Sequence, residues 1–383
     1  MKIFKMIREL QRSLSPYRPS IEVRVSKSNL LHNLQEFKSK YPHLSFAPVL
    51  KSNAYGHGLV EVAEILDSEK IAFFVLDSLY EAMILRNRNI KSQILIIGYT
   101  QTENIKHTNL RDVAFTVTSI EQLRELAQIA AKRTSIHLKI DTGMHRQGLL
   151  PTQLDEAISI IKACKNIDIE GICSHFADAD GPDDAFTKSQ IDLWSKISER
   201  LQMQFSSIRY VHISASAGTF YSSFTPGNVA RLGLSLYGIK ANPKADLDLK
   251  PAMQIESQIS SVKEIGPSEG VGYNLTYRTP AQAKIATVPM GYYEGVDRRL
   301  SNLGFYSVGG VACPIVGRVS MNITSTDVSA VPNVKLGDPV VVLSANPVDA
   351  NSVENIAKQI KTIPYEILVH IPQSLRRVIV ETL

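Results

Sequence analysis

Cysteine is scarce: 383 residues hold three, Cys164, Cys173 and Cys313, far apart in the chain. That excludes a disulfide framework and offers no metal or redox spacing, so a reducing cytosol is the expected compartment and no metal is expected. No apolar run is long enough to span a bilayer. Basic residues outnumber acidic ones only modestly, 42 to 37, and they are scattered. No stripe of aromatic and basic residues is present, so nucleic acid is not an expected partner. The glycine-rich turn that binds dinucleotides after a first strand is missing, which argues against an open doubly wound sheet. Short repeats and low-complexity segments are missing too. The N-terminal stretch Met1–Leu14 is basic and amphipathic but lacks the continuous apolar core of a secretory signal. Its expected role is a helical extension over residues 1–17.

What the chain does have is a regular alternation. Strands are expected at 45–51, 71–77, 92–99, 113–119, 136–142, 167–175, 208–214 and 228–232. Several are continuous apolar runs, such as Ile71 to Leu76 and Ile94 to Ile97, which suit strands covered on both faces. Amphipathic helices fall between most of them, most clearly Ile120 to Lys132 and Leu154 to Cys164. An early strand at 21–25 leads into a helix that Ser28 can cap, with Leu30, Leu31, Leu34 and Phe37 on one face. Some eight strand and helix units fit an α/β fold, a (β/α)8 TIM barrel over residues 26–240. After Ile239 the texture changes to short alternating strands, at 254–264, 283–290, 312–317 and 338–343, with glycine and proline between them. Helix returns only at Val353 to Gln359. Residues 241–383 therefore read as a smaller β-rich domain, with strand 21–25 joining it.

One stretch stands out, Ala47 to Gly58, reading A-P-V-L-K-S-N-A-Y-G-H-G. An apolar run ends on a lone lysine, Lys51. A small polar turn follows, and helical spacing resumes at Leu59. Lys51 thus sits where a strand hands over to a helix, the end of a barrel where active sites form. Apolar walls there disfavour the ammonium and free the amine to attack a carbonyl, as aldehyde cofactors such as pyridoxal phosphate require. Taken alone, a lysine at a strand end is more often one whose ammonium reaches water.

The whole stretch shifts that balance, because K-x-N-A-Y-G-H-G resembles the signature around the cofactor lysine of bacterial alanine racemases. Further motifs resemble the same family over roughly residues 18 to 380. They are K-I-D-T-G-M-H-R (139–146), S-H-F-A (174–177), H-I-S-A-S-A (212–217), V-A-R-L-G-L (229–234), V-G-Y-N-L-T-Y (271–277), G-Y-Y-E-G (291–295), G-R-V-S-M-N (317–322) and T-I-P-Y-E (362–366). The resemblance implies a pyridoxal 5'-phosphate enzyme that interconverts L- and D-alanine for cell-wall synthesis. Its two bases would be Lys51 and Tyr273, serving opposite faces of Cα. It implies that Tyr55, Ser216, Gly233, Leu234 and Tyr365 hold the phosphate, that His175 lies by the cofactor ring, and that Arg231 faces the ring nitrogen. It implies that Arg146 and Met321 contact the substrate carboxylate and that Tyr292 gates entry. Lys139 matches a lysine carried as a carbamate, an anion able to orient Arg146; an ordinary Lys139–Asp141 ion pair is the plainer alternative. The family supplies the tyrosine from a partner subunit, so a homodimer with shared sites is implied.

The chain departs from the family pattern at Ala215, Ser320 and Asn322, in the gate at Tyr293 and Glu294, and at His145. These surround the substrate and its entry and leave the amino-acid preference open. A broad-specificity or serine racemase is the alternative. A non-catalytic pyridoxal-phosphate carrier would lack the second domain. A barrel decarboxylase would place an acidic residue where Arg231 stands.

Overall fold

The computed structural model describes residues 18–383; the amphipathic stretch Met1–Leu14 lies outside them. The chain forms two compact units. The larger takes Arg24–Gln254, Ser344–Gln373 and Ile379–Leu383. Of the described residues, the smaller takes 18–23, Ile255–Leu343 and Ser374–Val378. The helix Val353–Gln359, expected from the sequence in the β-rich part, thus falls in the larger unit, as does the short helix Pro364–Val369 that follows it.

Strand β1 (Glu22–Ser26) leads into the helix Lys27–Lys40. Its cap is Ser26 rather than the expected Ser28: the Ser26 hydroxyl accepts the N–H of Asn29 at 3.1 Å. The strand runs one residue further than its alternation suggested, and so the earlier serine meets the first free N–H groups. Strands β2 (Ser45–Pro48), β3 (Phe74–Leu76), β4 (Ile94–Ile96), β5 (Val113–Val117), β6 (Thr134–Lys139), β7 (Ile167–Cys173), β8 (Tyr210–His212) and β9 (Val229–Leu232) follow. From β3 to β8 they form one parallel sheet in chain order, while β2 and β9 pair with each other. Parallel bridges Val49–Val75 and Ala215–Arg231 join the two pieces. The eight strands thereby close into a ring, the (β/α)8 barrel. Its apolar strands are buried along their length, as in β3 and β4, because helices cover their outer faces.

The ring sets the site, because the residues singled out above leave it at one end. Lys51 follows β2, Lys139 ends β6, His175 follows β7, Ser216 follows β8, and Arg231 lies in β9 with Gly233 beyond it.

In the smaller unit the strands Ser261–Ile265, Ala283–Val288 and Thr324–Asp327 form an antiparallel sheet. It covers a core of Val271, Ala283, Ile285 and Val316. The expected strand 254–264 is two strands. Met253–Gln258 joins a six-stranded sheet with Pro339–Leu343, Phe305–Val308, Val311–Pro314, β1 and Arg377–Val380, whereas Ser261–Ile265 joins the three-stranded one. Met253, Ile255 and Ile259 share one phase and Val262 the other, so the alternation slips at Ser260–Ser261, where the chain changes sheet and the expected single strand runs on.

Candidate active site

The Lys51 stretch folds against the local preference of L-residues. Ser52, Asn53, Ala54 and Tyr55 all have φ between 51° and 57°, a single left-handed turn of helix. Each non-glycine residue there costs about 1–2 kcal/mol, so surrounding bonds must hold it. Leu50 O accepts the N–H of Ala54 at 2.7 Å, and Asn53 O accepts that of Gly58 at 2.9 Å. The Asn53 side chain accepts the N–H of Leu59 at 2.9 Å. A carboxylate oxygen of Glu81 accepts the N–H of Ser52 at 2.8 Å. Gly56 closes the turn at φ +80°, where a Cβ would lie 2.2 Å from the carbonyl oxygen of Leu368. Lys51 is not enclosed by apolar walls as its sequence context suggested. It is partly exposed, with Nζ 3.9 Å from the Asp77 carboxylate.

Lys51 opens into a cleft of about 880 Å³, which Lys139, Arg146, His175, Ser216, Arg231 and Tyr365 also line. A cleft of this size accommodates a cofactor together with a small substrate. Arg231 is buried at its floor. Its guanidinium donates to Nδ1 of His212 at 2.5 Å and Nδ1 of His175 at 3.0 Å, and to the carbonyls of His212, Ser174 and Ile213. Burial and the charge of Arg231 push His175 down to about 3, so the imidazole is neutral. Lys139 is also largely buried. Burial lowers its pKa, and the neighbouring Arg231 and Arg146 act in the same direction against the partial offset from Cys173 and Asp141. The Lys139–Asp141 ion pair is not what the structure builds. Asp141 bonds the following turn instead, accepting the N–H groups of Gly143 at 2.8 Å and His145 at 3.1 Å. That turn carries the exposed Arg146.

A second cluster lies where the loops after β8 and β9 meet. Ser216 Oγ accepts the N–H groups of Gly233 at 3.0 Å and Ser235 at 3.4 Å. A Cβ on Gly233 would stand 2.9 Å from the Tyr55 hydroxyl, so a larger residue there would push the phenol aside. Burial holds the Tyr55 phenol well above its ordinary pKa, with Tyr365 adding to the effect. Both rings meet, centroids 5.8 Å apart. The hydroxyls therefore stay protonated and able to donate.

In the smaller unit, Tyr273 opens a short turn after Gly272, whose φ is +73°. Tyr292 and Met321 sit on two loops zipped by backbone bonds, Tyr292 N to Ser320 O at 3.0 Å and Tyr293 N to Met321 O at 2.9 Å. All three side chains are exposed, Tyr273 by 68%. Two departures from the family pattern turn out to be paired: the Asn322 amide donates to Glu294 at 2.6 Å, and the other Glu294 oxygen accepts the N–H of Gly291 at 2.9 Å.

Three residues with structural work at this site carried no role in the sequence. His212 lies inside the quoted H-I-S-A-S-A motif, and His137 is two residues before Lys139 and so on its face of β6. The two imidazoles meet at 2.8 Å, behind Arg231. Glu81 had no visible signal beyond the S-x-x-E pattern of a helix start.

Family models for the alanine racemase N-terminal domain and C-terminal domain match residues 25–241 and 252–379. The chain belongs to the alanine racemase family. It is 34% identical to alanine racemase 2 of Caldanaerobacter subterraneus, over 93% of this chain and 94% of that protein. To the alanine racemase of Methanococcus maripaludis it is 33% identical, over 92% and 97%. Among solved structures, alanine racemase from Clostridium difficile superposes with a TM-score of 0.88 at 31% identity, covering 95% of this chain and 96% of that one. Alanine racemases depend on pyridoxal phosphate, and the cleft fits that group. The hydroxyl and N–H cluster around Ser216, Gly233 and Tyr55 suits a phosphate, and Lys51 supplies an amine within the same cleft.

Proposed function

We propose that this chain is an alanine racemase that interconverts L- and D-alanine and supplies D-alanine for peptidoglycan. Bound pyridoxal phosphate supplies an aldehyde that joins an amine with loss of water, and a ring that withdraws electrons from Cα. The chain's own residues do the rest. Ser216, Gly233, Leu234, Tyr55 and Tyr365 hold the phosphate through hydroxyl and N–H donors. Arg146 and the Met321 backbone orient the substrate carboxylate, and Tyr292 gates its entry. Lys51 Nζ takes or returns the Cα proton on one face, and the Tyr273 hydroxyl does so on the other. Burial and the nearby Arg231 and Arg146 lower the Lys139 pKa, which suits a carbamate, because the uncharged amine is the form that adds to carbon dioxide. The resulting anion would stand beside the guanidinium of Arg146.

The observation that carries this reading is Arg231, in the cleft with Lys51. An arginine stays protonated in proteins, so the Arg231 guanidinium would leave unprotonated a cofactor ring nitrogen that it held. Such a ring would supply only weak electron withdrawal, which suits return of a proton to Cα over decarboxylation. His212, His175 and three carbonyls hold the guanidinium in place.

The homodimer and the cytoplasm belong to the same proposal. Tyr273, Leu275, Tyr292, Tyr293, Met321 and Ile323 are all exposed on the smaller unit, an apolar surface of the kind a second copy covers. No helix among the described residues is long and apolar enough to cross a membrane.

The test is D-isomer formation by the protein with pyridoxal phosphate, given L-alanine and L-serine separately. Rapid D-alanine with little D-serine is expected. Comparable D-serine would favour a broad-specificity or serine racemase, a reading the Asn322–Glu294 pair at the entry motivates. No D-isomer, with cofactor bound, would return the carrier and decarboxylase readings.

A further inference from the structure

We infer that Glu81 is a positioning residue for Lys51, a clamp that fixes the lysine-bearing turn to the end of the neighbouring strand. The inference rests on Lys51 being the cofactor lysine. Glu81 lies in the first turn of the helix Leu79–Asn87, where it forms a capping box with Ser78. A capping box needs one glutamate oxygen, turned back to the N-cap N–H. Oε2 does that work, accepting the N–H of Ser78 at 3.3 Å and of Asp77 at 2.9 Å. Oε1 is left over, and it leaves its own helix to accept the N–H of Ser52 at 2.8 Å.

That N–H belongs to the peptide directly after Lys51. It opens the left-handed turn, where Ser52 has φ 56° and ψ 50°, and Oε1 satisfies it. One carboxylate thus ties the peptide after Lys51 to the backbone of Asp77, whose side chain lies 3.9 Å from Lys51 Nζ. The Ser52 and Asp77 N–H groups both donate to a carboxylate, a strong class of acceptor. The turn itself is strained, so a lost clamp lets its first peptide relax toward the right-handed region and swings Lys51 away from the cleft. A displacement of about 1 Å at a reacting group lowers its rate roughly a hundredfold.

Glu81→Gln keeps the size of the side chain but can accept at only one end, because the amide nitrogen would face an N–H. Glu81→Asp keeps the charge but is one methylene too short to reach both sides. The control is Ser78→Ala, which removes the capping hydroxyl on Glu81 N–H, 3.2 Å away, and leaves the Glu81–Ser52 bond. In apo-protein, the rate of covalent labelling of Lys51 by pyridoxal phosphate would be measured by borohydride trapping and peptide mapping, with amide hydrogen exchange at Ser52. The expected result is labelling slowed roughly tenfold or more and faster exchange at Ser52 in both Glu81 variants. Ser78→Ala should lose thermal stability but label at the wild-type rate. Wild-type labelling in the Glu81 variants, or equal slowing in Ser78→Ala, overturns the clamp and leaves Glu81 a helix cap. Trapping of wild-type protein at a lysine other than Lys51 would instead overturn the cofactor-lysine reading.

Discussion

Individual side chains carry both the chemistry and a cost in acid. Lys51→Ala should abolish the visible absorption band of the bound cofactor; a band that persists would move the attachment elsewhere. If Lys51 and Tyr273 are the proposed bases on opposite faces of Cα, Tyr273→Ala should slow proton removal from L-alanine more than from D-alanine. Equal losses from both isomers, measured by solvent deuterium incorporation, would argue against that division. The buried histidines around Arg231 bear on stability instead. An unperturbed histidine titrates near 6.5, whereas burial and Arg231 push His137 and His175 down to about 3. Between those values the unfolded chain binds protons that the folded chain excludes. Stability is therefore full above about pH 6.5 and falls as pH drops toward about 3, by about 1.4 kcal/mol per pH unit for each histidine. Urea midpoints of apo-protein should show this slope, and His137→Gln should flatten it. An unchanged slope would place the acid sensitivity in other groups.

At the scale of elements, the left-handed turn after β2 is the least replaceable piece of backbone. Gly56→Ala forces a positive φ on alanine and drives its Cβ toward the Leu368 carbonyl. A loss of about 1–3 kcal/mol is expected from the overpacking alone, together with faster loss of cofactor on dilution. A variant with wild-type denaturant midpoint and cofactor retention would show that the Leu368 segment yields freely. The placing of Lys51 was legible in the sequence because a buried strand, a lone lysine and a helix are each written in local pattern. The handedness of the turn was not. Four consecutive non-glycine residues contradict local propensity there, and one of the groups that holds them, Glu81, is about 30 residues away in the chain. Packing decided the apolar walls as well. Asp77 reaches Lys51 only because β2 and β3 are neighbours in the ring. The boundary misses were local: the helix starts directly after β1, so Ser26 and not Ser28 caps it, and the expected strand 254–264 divides between two sheets.

The eight-strand rhythm and the motifs that leave one end of it made the barrel and most of its cleft readable. What one chain's pattern does not contain is where the two proposed bases, Lys51 and Tyr273, would meet. Lys51 lines the cleft of the larger unit, and Tyr273 stands exposed on the smaller one. If the homodimer shares its sites, each site takes Lys51 from one subunit and Tyr273 from its partner. Lys51→Ala and Tyr273→Ala homodimers would then each be inactive, since every site lacks one base. Mixed dimers would hold one site with both lesions and one with neither. Random pairing makes half of the dimers mixed, and half of their sites are intact, so about one quarter of wild-type activity should return in a two-fold symmetric dimer. Co-expression with two affinity tags isolates the mixed species, where activity per dimer should be about half. A purified mixed dimer with no activity would mean that both bases of each site come from one chain, and the exposed Tyr273 surface would need another occupant.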